Sequence, residues 1–203
     1  MINVGVIGLG MMGLTHLDVY VGSKNAKVVA VADADPNRLS GKVQARGNVD
    51  GQAQGKFDVT KVKGYTDALA LIHDPEVQMI DVCLPTPLHK KFGIAVLEAG
   101  KHLLMEKPLA RTSADAFALV EAAELAYQKS GALAMPGMCM RFWPGWNWLK
   151  KTVTDKTYGK VHAAVGFFGD SFFQPVPTRP ESHAHGRHGQ RAGFLIRRLR
   201  RLH

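Results

Sequence analysis

A glycine pattern near the N-terminus contains the first residues whose types and spacing could do chemistry. Gly8, Gly10 and Gly13 are spaced as Gly-x-Gly-x-x-Gly, with Met11 and Met12 in the gap. Between a strand and a helix, such glycines permit a tight turn, the approach of a pyrophosphate to the backbone, and close packing of helix on strand. The first amides of the helix would add hydrogen-bond donors and a partial positive charge. The pattern predicts a dinucleotide-binding turn, and the alternative is an ordinary tight turn.

An acidic residue downstream of the glycines bears on which dinucleotide would bind. Asp33 follows Gly13 by twenty residues, at the end of a second apolar run, where a carboxylate can accept hydrogen bonds from the adenosine ribose. The same carboxylate would repel the 2′-phosphate of NADP, so the expected cofactor is NAD. Arg38, one turn into the next helix, could pair with that phosphate, which keeps NADP possible. The alternative is that Arg38 has no phosphate partner and simply occupies a solvent-exposed face of the helix.

A third group of residues follows an apolar run that ends at Met105. Glu106, Lys107 and Pro108 come directly after it. In an open α/β sheet, ligands bind at the carboxyl ends of the strands, so Lys107 could reach a substrate held beside the cofactor. Taken alone, such a tripeptide more often forms a surface loop.

The elements that would position these residues alternate between short apolar strands and helices. Strands are predicted at 2–7, 27–32, 61–65, 77–84 and 101–105, and helices from Leu14 onward, after Asp35, after Asp67, and over 88–99 and 113–129. Residues 47–60 are polar and Gly-rich and predict a surface loop. The alternation predicts an α/β fold whose N-terminal Rossmann domain, residues 1–134, holds a doubly wound parallel sheet.

The region after residue 134 predicts a second, smaller domain. Candidate strands at 132–140 and 160–168 flank a helix that opens at the aromatic segment 143–148. These elements indicate the start of an incomplete α+β substrate domain over residues 135–178.

The positive charge of the chain is concentrated at its end. The 203 residues carry a net charge of +9, of which residues 1–178 contribute +3. Residues 179–203 hold seven Arg, no Lys and a single acidic residue, Glu181, and they lose hydrophobic periodicity. This segment is expected to be a basic Arg/His-rich tail, aberrant or disordered, as an out-of-frame ending would be. Charge confined to a tail gives little support for specific nucleic-acid binding.

Composition argues against two other classes of protein. With 46% hydrophobic and 21% charged residues, the chain is typical of globular proteins, and no apolar run reaches the roughly 18 residues of a membrane span. The N-terminus lacks the basic region of a secretory signal. Cys83 and Cys139 have no metal-ligand spacing, so no metal site is predicted, and both are expected to be reduced thiols in a cytoplasmic protein.

The glycine pattern and Glu106-Lys107-Pro108 together resemble the signature of the glucose-fructose oxidoreductase and inositol dehydrogenase family of NAD(P)-dependent oxidoreductases. Further segments, in the family's order, extend the likeness over about residues 2–168. Residues 85–89 resemble a Thr-Pro-x-x-x-His segment beside the nicotinamide, although Leu84 stands where Thr is usual. Residues 100–105 are similar to the lead into Glu-Lys-Pro, and residues 141–144 to an Arg-Phe-x-Pro segment that begins the substrate domain.

The resemblance implies a reaction and enlarges the cofactor site. A hydride would pass between the nicotinamide and a carbinol carbon of a sugar, cyclitol or other polyol, with Lys107 as the catalytic residue that manages the hydroxyl proton. The full-length parent would be a homo-oligomer. The residues that the resemblance adds to the cofactor site are Pro85, Thr86, His89, Glu106, Lys107 and Pro108.

The likeness ends where the family places an Asp and a His that share the proton transfer with the lysine. No Asp-x-x-x-His arrangement follows residue 168, and family members continue well past this length. The chain is therefore expected to be a truncated member with weak or no activity. The alternative is a non-catalytic dinucleotide-binding or interaction module. The strand at 160–168 is expected to have an open edge prone to self-association, unless the tail folds back as a substitute strand.

Overall fold

The first of two compact units, Met1–Met138, is built on a parallel sheet. The computed structural model describes residues 1–41 and 56–162, and the backbone of two strands further on. The strands of the sheet are β1 (Ile2–Ile7), β2 (Ala26–Ala32), β3 (Lys63–Tyr65), β4 (Met79–Val82), β5 (His102–Met105) and β6 (Ala134–Pro136). Their order is β3-β2-β1-β4-β5-β6, with every neighbouring pair parallel. This is the strand order of the Rossmann fold.

Helices connect these strands, and the residues at their ends are those that the sequence indicates. In chain order they are α1 (Met11–Tyr20), α2 (Pro36–Leu39), α3 (Ala68–Ile72), α4 (His89–Glu98) and α5 (Ser113–Ser130). Asp35 and Asp67 cap α2 and α3 by accepting a hydrogen bond from the backbone amide two residues on. Gly100 follows α4 with a φ of +70°, a left-handed conformation that favours glycine. Within residues 1–41 and 56–162, no helix combines the length and apolarity needed to cross a bilayer.

Apolar side chains cover both faces of the sheet. On one face, Leu71 of α3, Val96 of α4 and Leu119 of α5 pack against the strands. On the other, Leu17 of α1 packs against a cluster that includes Val4 of β1. A fully buried aliphatic side chain of this kind contributes roughly 1.5–3 kcal/mol. Helices on both faces of a parallel sheet confirm the predicted fold of the N-terminal domain.

The sixth strand is shorter than the sequence indicates. The candidate strand covered 132–140, whereas β6 covers Ala134–Pro136. The amide of Gly137 still donates to the carbonyl oxygen of Met105 at 2.7 Å, but the amide of Met138 donates to the carbonyl oxygen of Pro136 at 2.8 Å, and this tight turn ends the strand. Because β6 pairs with β5, a domain boundary after residue 134 would cut this strand. The compact unit extends to Met138.

The second compact unit, Cys139–His203, contains one described helix and one described pair of strands. A 3-10 turn over Cys139–Phe142 precedes α6 (Pro144–Thr154), which has a proline in its first turn. The strand β7 (Val165–Phe168) pairs antiparallel with β8 (Ala192–Leu195). Residues 160–162 lie outside β7, so this strand is also shorter than predicted.

The pairing of β7 with β8 corrects one expectation. The sequence predicted an open edge for the strand at 160–168, but β8, which belongs to the Arg-rich tail, occupies one edge of it. The tail therefore supplies the substitute strand that was the alternative, because any extended segment can offer backbone donors and acceptors to an unpaired edge. The rest of the tail, and residues 47–55 of the predicted loop, lie outside the described residues. In the described part of that loop, Val59–Lys61 form a 3-10 turn begun by Asp58.

The cap of α5 generates a stability prediction. The hydroxyl of Thr112 accepts a hydrogen bond from the amide of Asp115 at 3.1 Å. Replacing Thr112 with Ala leaves that amide without its partner and should lower the free energy of unfolding by about 1 kcal/mol. Thr112→Ser keeps the hydroxyl and should remain close to the wild type. Urea denaturation followed by circular dichroism measures both variants, and equal midpoints for the Ala and Ser variants would contradict the cap's contribution.

Candidate functional site

The turn between β1 and α1 works only with glycine at its first and last positions. Gly8 has a φ of +94°, and a Cβ there would lie 2.6 Å from the backbone oxygen of Cys83. A Cβ on Gly13 would overlap the carbonyl oxygen of Gly8. The helix can therefore approach the strand this closely because neither residue has a side chain.

The start of α1 is arranged to accept an anion. Gly10 is the N-cap in an extended conformation, no side chain caps the helix, and its first turn holds no acidic residue. The amides of Met11 and Met12 therefore belong to a first turn that lacks intrahelical acceptors. A Cβ built on Gly10 would meet only Nη1 of Arg38, at 3.8 Å. The space above Gly10 is open, as the backbone approach of a phosphate requires.

Asp33 lies at the end of β2 and faces the same turn. Its Oδ2 accepts a hydrogen bond from the amide of Leu9 at 2.8 Å, and its Oδ1 accepts one from the amide of Asp35 at 2.9 Å. Nη1 of Arg38 lies 3.5 Å from Asp33 Oδ2. The carboxylate therefore holds the glycine turn in shape as well as facing the cleft, a second role that the motif did not indicate.

A cleft of about 540 Å³ lies along the carboxyl ends of β1, β2 and β4. It brings together seven of the predicted cofactor residues, which are Gly8, Gly10, Met11, Met12, Asp33, Arg38 and Pro85. Gly13 lies against the carbonyl of Gly8, where it sets the approach of the helix. Apolar side chains of Leu84, Leu88 and Phe92 line the wall beyond Pro85. A polar end with free helix amides and a less polar end suit the two halves of a dinucleotide.

His89 has partners other than those that the resemblance implies. The ring is 1% exposed, with Nε2 2.8 Å from the carbonyl oxygen of Leu84 and Nδ1 2.8 Å from that of Pro108. It does not line the cleft. The imidazole instead links the loop after β4 to the loop after β5. Thr86 begins a 3-10 turn that leads into the helix of His89 and is half-buried outside the cleft.

The Glu-Lys-Pro loop places its three residues in different surroundings. Glu106 is buried, with Oε1 3.3 Å from Nε2 of His16 and with Oε2 accepting a hydrogen bond from the amide of Lys107 at 3.1 Å. Burial would raise the pKa of Glu106, but His16 and Lys107 lower it below its ordinary value. Lys107 is exposed and precedes Pro108 through a cis peptide bond. The loop thus presents one anchored carboxylate and one solvent-facing ammonium.

A buried cluster that sequence reasoning missed lies beneath the turn. Asp81 of β4 is fully buried, and its Oδ2 lies 2.9 Å from His16 Nδ1 and accepts a hydrogen bond from the hydroxyl of Tyr20 at 3.0 Å. The thiol sulfur of Cys83 lies 3.4 Å from His16 Nδ1 and 3.5 Å from Asp81 Oδ1. His16 and Tyr20 are four residues apart, hence on one face of α1. The sequence contained two signals of this cluster. One is the four-residue spacing of His16 and Tyr20, and the other is an acidic residue, Asp81, within an apolar strand.

The members of this cluster shift one another's pKa values. Burial would lower the pKa of His16, but its bonds to Asp81, Cys83 and Glu106 raise it to about 12. Burial raises the pKa of the Cys83 thiol to about 12 despite the opposing effect of His16. Burial, together with the charge of Asp81, also raises the pKa of Tyr20. His16 is therefore a charged imidazolium at neutral pH, shared between two carboxylates.

The sequence of the chain places it in a known family. A sequence model for an oxidoreductase family with an NAD-binding Rossmann fold matches residues 2–131. The chain belongs to this family, which is the GFO/IDH/MocA family of oxidoreductases, and the resemblance drawn from its motifs is confirmed. The cofactor class is accordingly NAD(P).

Individual relatives support the same assignment. Inositol 2-dehydrogenase 2 of Saccharopolyspora erythraea is 31% identical over 172 residues, which is 81% of this chain and 46% of that one. Myo-inositol 2-dehydrogenase of Thermotoga maritima is 31% identical over 160 residues, covering 79% of this chain and 43% of the relative. The crystal structure of a probable dehydrogenase from Thermotoga maritima is similar with a TM-score of 0.62 at 28% identity, over 80% of this chain and 43% of that chain. The chain spans less than half the length of each.

The open space above Gly10 generates a prediction about the cofactor. Gly10→Ala should leave the stability of the protein near that of the wild type, because the new methyl group meets only the end of the Arg38 side chain. The same methyl group would occupy the space through which a pyrophosphate approaches the backbone. We expect NADH to bind at least about tenfold more weakly, a loss of about 1.4 kcal/mol, measured by fluorescence titration.

A matched glycine provides the control. Gly22 has open space around its Cβ position and lies outside the cleft, so Gly22→Ala should change neither stability nor NADH affinity. Wild-type affinity in Gly10→Ala would show that the dinucleotide binds elsewhere.

Proposed function

We propose that this chain binds NAD in the cleft at the glycine turn and forms the cofactor-binding half of a dehydrogenase. The reaction would transfer a hydride between the nicotinamide and a carbinol carbon of a sugar, cyclitol or related polyol. The observation that carries the proposal is the cleft itself, where the uncapped start of α1 and the carboxylate of Asp33 face one space. The names of the relatives, inositol and myo-inositol 2-dehydrogenases, support the substrate class.

Different residues of the cleft would contact different parts of the dinucleotide. The first-turn amides above Gly10 would hold the pyrophosphate, and Asp33 would accept hydrogen bonds from the adenosine ribose. Leu84, Pro85 and Leu88, at the less polar end, would cover the nicotinamide side. When bound, NAD accepts or donates the hydride, and the protein holds it in place and excludes water.

Lys107 is proposed as the catalytic residue because of where its loop begins. The loop follows β5, next to β4 in the sheet, so the ammonium stands at the same edge as the cleft. It is exposed, and the structure pairs its side chain with no acidic group in the described part of the chain. In the reducing direction the Lys107 ammonium can donate a proton to the substrate oxygen while the carbon receives the hydride, and in the oxidising direction the neutral Lys107 amine would accept the hydroxyl proton. Glu106 fixes the backbone of this loop through the Lys107 amide.

A cytoplasmic location is proposed because Cys83 and Cys139 are both free thiols, as in a reducing compartment.

The charge at Asp33 generates a prediction about cofactor choice. The wild-type chain should bind NADH about tenfold or more tightly than NADPH, because the carboxylate repels a 2′-phosphate. Asp33→Asn removes the charge and should reduce this preference, chiefly by improving NADPH binding. Parallel titrations with both nucleotides give the ratio, and thermal melting checks that the bonds to Leu9 and Asp35 still hold the turn.

Substitution of Arg38 tests the competing explanation, in which Arg38 binds the 2′-phosphate of NADPH. If Arg38 binds the 2′-phosphate, Arg38→Ala should weaken NADPH alone. If it instead orients Asp33 across their 3.5 Å contact, the variant should alter the affinity for NADH as well. A preference for NADPH in the wild type would overturn the assignment of Asp33 as the selector.

Substitution of Lys107 tests the hydride-transfer step. Lys107→Met should lower the rate of NADH formation from polyols such as myo-inositol by about a hundredfold or more. Its NADH affinity should stay within about twofold of the wild type, since the cleft is lined by other residues. Lys129→Met removes an exposed ammonium from the end of α5 and is the matched control. NADH binding without turnover on any polyol would instead favour the non-catalytic module.

A further inference from the structure

The buried cluster beneath the cleft holds three atoms of the kind that ligate transition metals. These are Nδ1 of His16, a carboxylate oxygen of Asp81 and the sulfur of Cys83, all within 4.8 Å of one another. They come from the middle of α1, from β4 and from the residue that follows β4, all in the same compact unit. Imidazole nitrogen, carboxylate oxygen and thiolate sulfur together are a donor set that suits Zn²⁺.

The distances between these atoms are close to those in a tetrahedral zinc site. Zn–N, Zn–O and Zn–S bonds of about 2.0, 2.1 and 2.3 Å place tetrahedral ligand atoms roughly 3.3–3.6 Å apart. The observed separations are 2.9 Å from His16 Nδ1 to Asp81 Oδ2 and 3.4 Å from His16 Nδ1 to Cys83 Sγ, and the sulfur lies 3.5 Å from the other carboxylate oxygen, Asp81 Oδ1. Asp81 would therefore ligate through both oxygens, or turn to present one of them to the ion.

The groups around the three atoms are arranged as the outer shell of a metal site. The second nitrogen of His16, Nε2, lies 3.3 Å from Glu106 Oε1, so a carboxylate orients the imidazole. The hydroxyl of Tyr20 donates to Asp81 Oδ2 at 3.0 Å. Metal-binding histidines commonly use their other nitrogen in this way, and ligating carboxylates are themselves hydrogen-bonded.

An ion could reach the site from the cleft. Cys83 is among the residues that line the cleft, and the side chain of His16 is 19% exposed.

We propose that His16, Asp81 and Cys83 form a binding site for a borderline-soft divalent cation, Zn²⁺ foremost, beneath the dinucleotide cleft. The ion would join α1 to β4, and Glu106 would extend that connection to the loop of Lys107. The site is a structural one and is independent of the proposed hydride transfer.

Cobalt titration of the whole chain tests the site, because Co²⁺ bound by a thiolate has a charge-transfer absorption in the near ultraviolet. The wild type should develop this band, saturate at about one Co²⁺ per chain, and lose the band when Zn²⁺ is added. Cys83→Ser should lack the band. Cys139→Ser is the matched control, since the only other cysteine of the sequence lies exposed in the other compact unit, and it should behave as the wild type.

A second variant and a folding readout distinguish a lost ligand from a lost fold. Tyr20→Phe removes only the hydrogen bond to Asp81 and should weaken Zn²⁺ about ten- to a hundredfold in a competition titration. Circular dichroism of the same samples should show Cys83→Ser folded as the wild type, so that the missing band reports a lost ligand. A wild type without the band, or a band that disappears in Cys139→Ser but not in Cys83→Ser, would overturn the proposal and leave the cluster as hydrogen bonds alone.

Discussion

A carboxylate inside a sheet is tolerated only when charged or hydrogen-bonding groups surround it. Asp81 in β4 is such a carboxylate, so the elements packed on β4 must supply polar partners for it. Its partners, His16 and Tyr20, come from α1, so the helix must lie at one height and one rotation over β1 and β4. Leaving such a charge unpaired destabilises a protein by roughly 3–5 kcal/mol. The position of α1 is therefore set by a polar constraint beneath it as well as by the burial of Leu17.

The glycine turn is the consequence of that position. Because α1 is drawn down onto β4, its first turn meets the end of β1, and a side chain at Gly8 or Gly13 would collide with backbone oxygens. The same approach brings the helix amides to the carboxyl ends of the strands. The part of the fold that could bind an anion is thus the part in which the backbone is most closely packed.

Local patterns were sufficient to predict most of the sheet and several helix ends. Asp35 and Asp67 cap their helices through amides two residues away, and Gly100 ends α4 through its own φ, so each signal lies within one turn of the chain. The glycine turn and the other cleft residues from Gly8 to Arg38 were predictable for the same reason. The parallel order of the strands follows from their alternation with helices.

The sequence could not indicate contacts between distant segments of the chain. His16 meets Asp81 and Cys83 across 65 and 67 residues, and neither cysteine has a spacing that suggests a metal ligand. The role of His89 depends on two carbonyl oxygens, at Leu84 and Pro108, which no side-chain pattern can reveal. The pairing of β7 with β8 was open for a related reason, since a strand edge specifies backbone geometry and leaves the identity of its partner undetermined.

Two imidazoles, His16 and His89, hold the Glu-Lys-Pro loop at one edge of the sheet. His16 connects α1 and β4 to Glu106, at the start of the Glu-Lys-Pro loop. His89 connects the loop after β4 to the carbonyl oxygen of Pro108, at the end of the same Glu-Lys-Pro loop. The loop after β5 is therefore held at both ends by rings whose other nitrogens reach β4 or the loop that follows it. Lys107 lies between these two anchors with its side chain in solvent. The backbone of Lys107 is thus fixed on both sides. Its ammonium remains in solvent, as the proposed contact with a substrate would require.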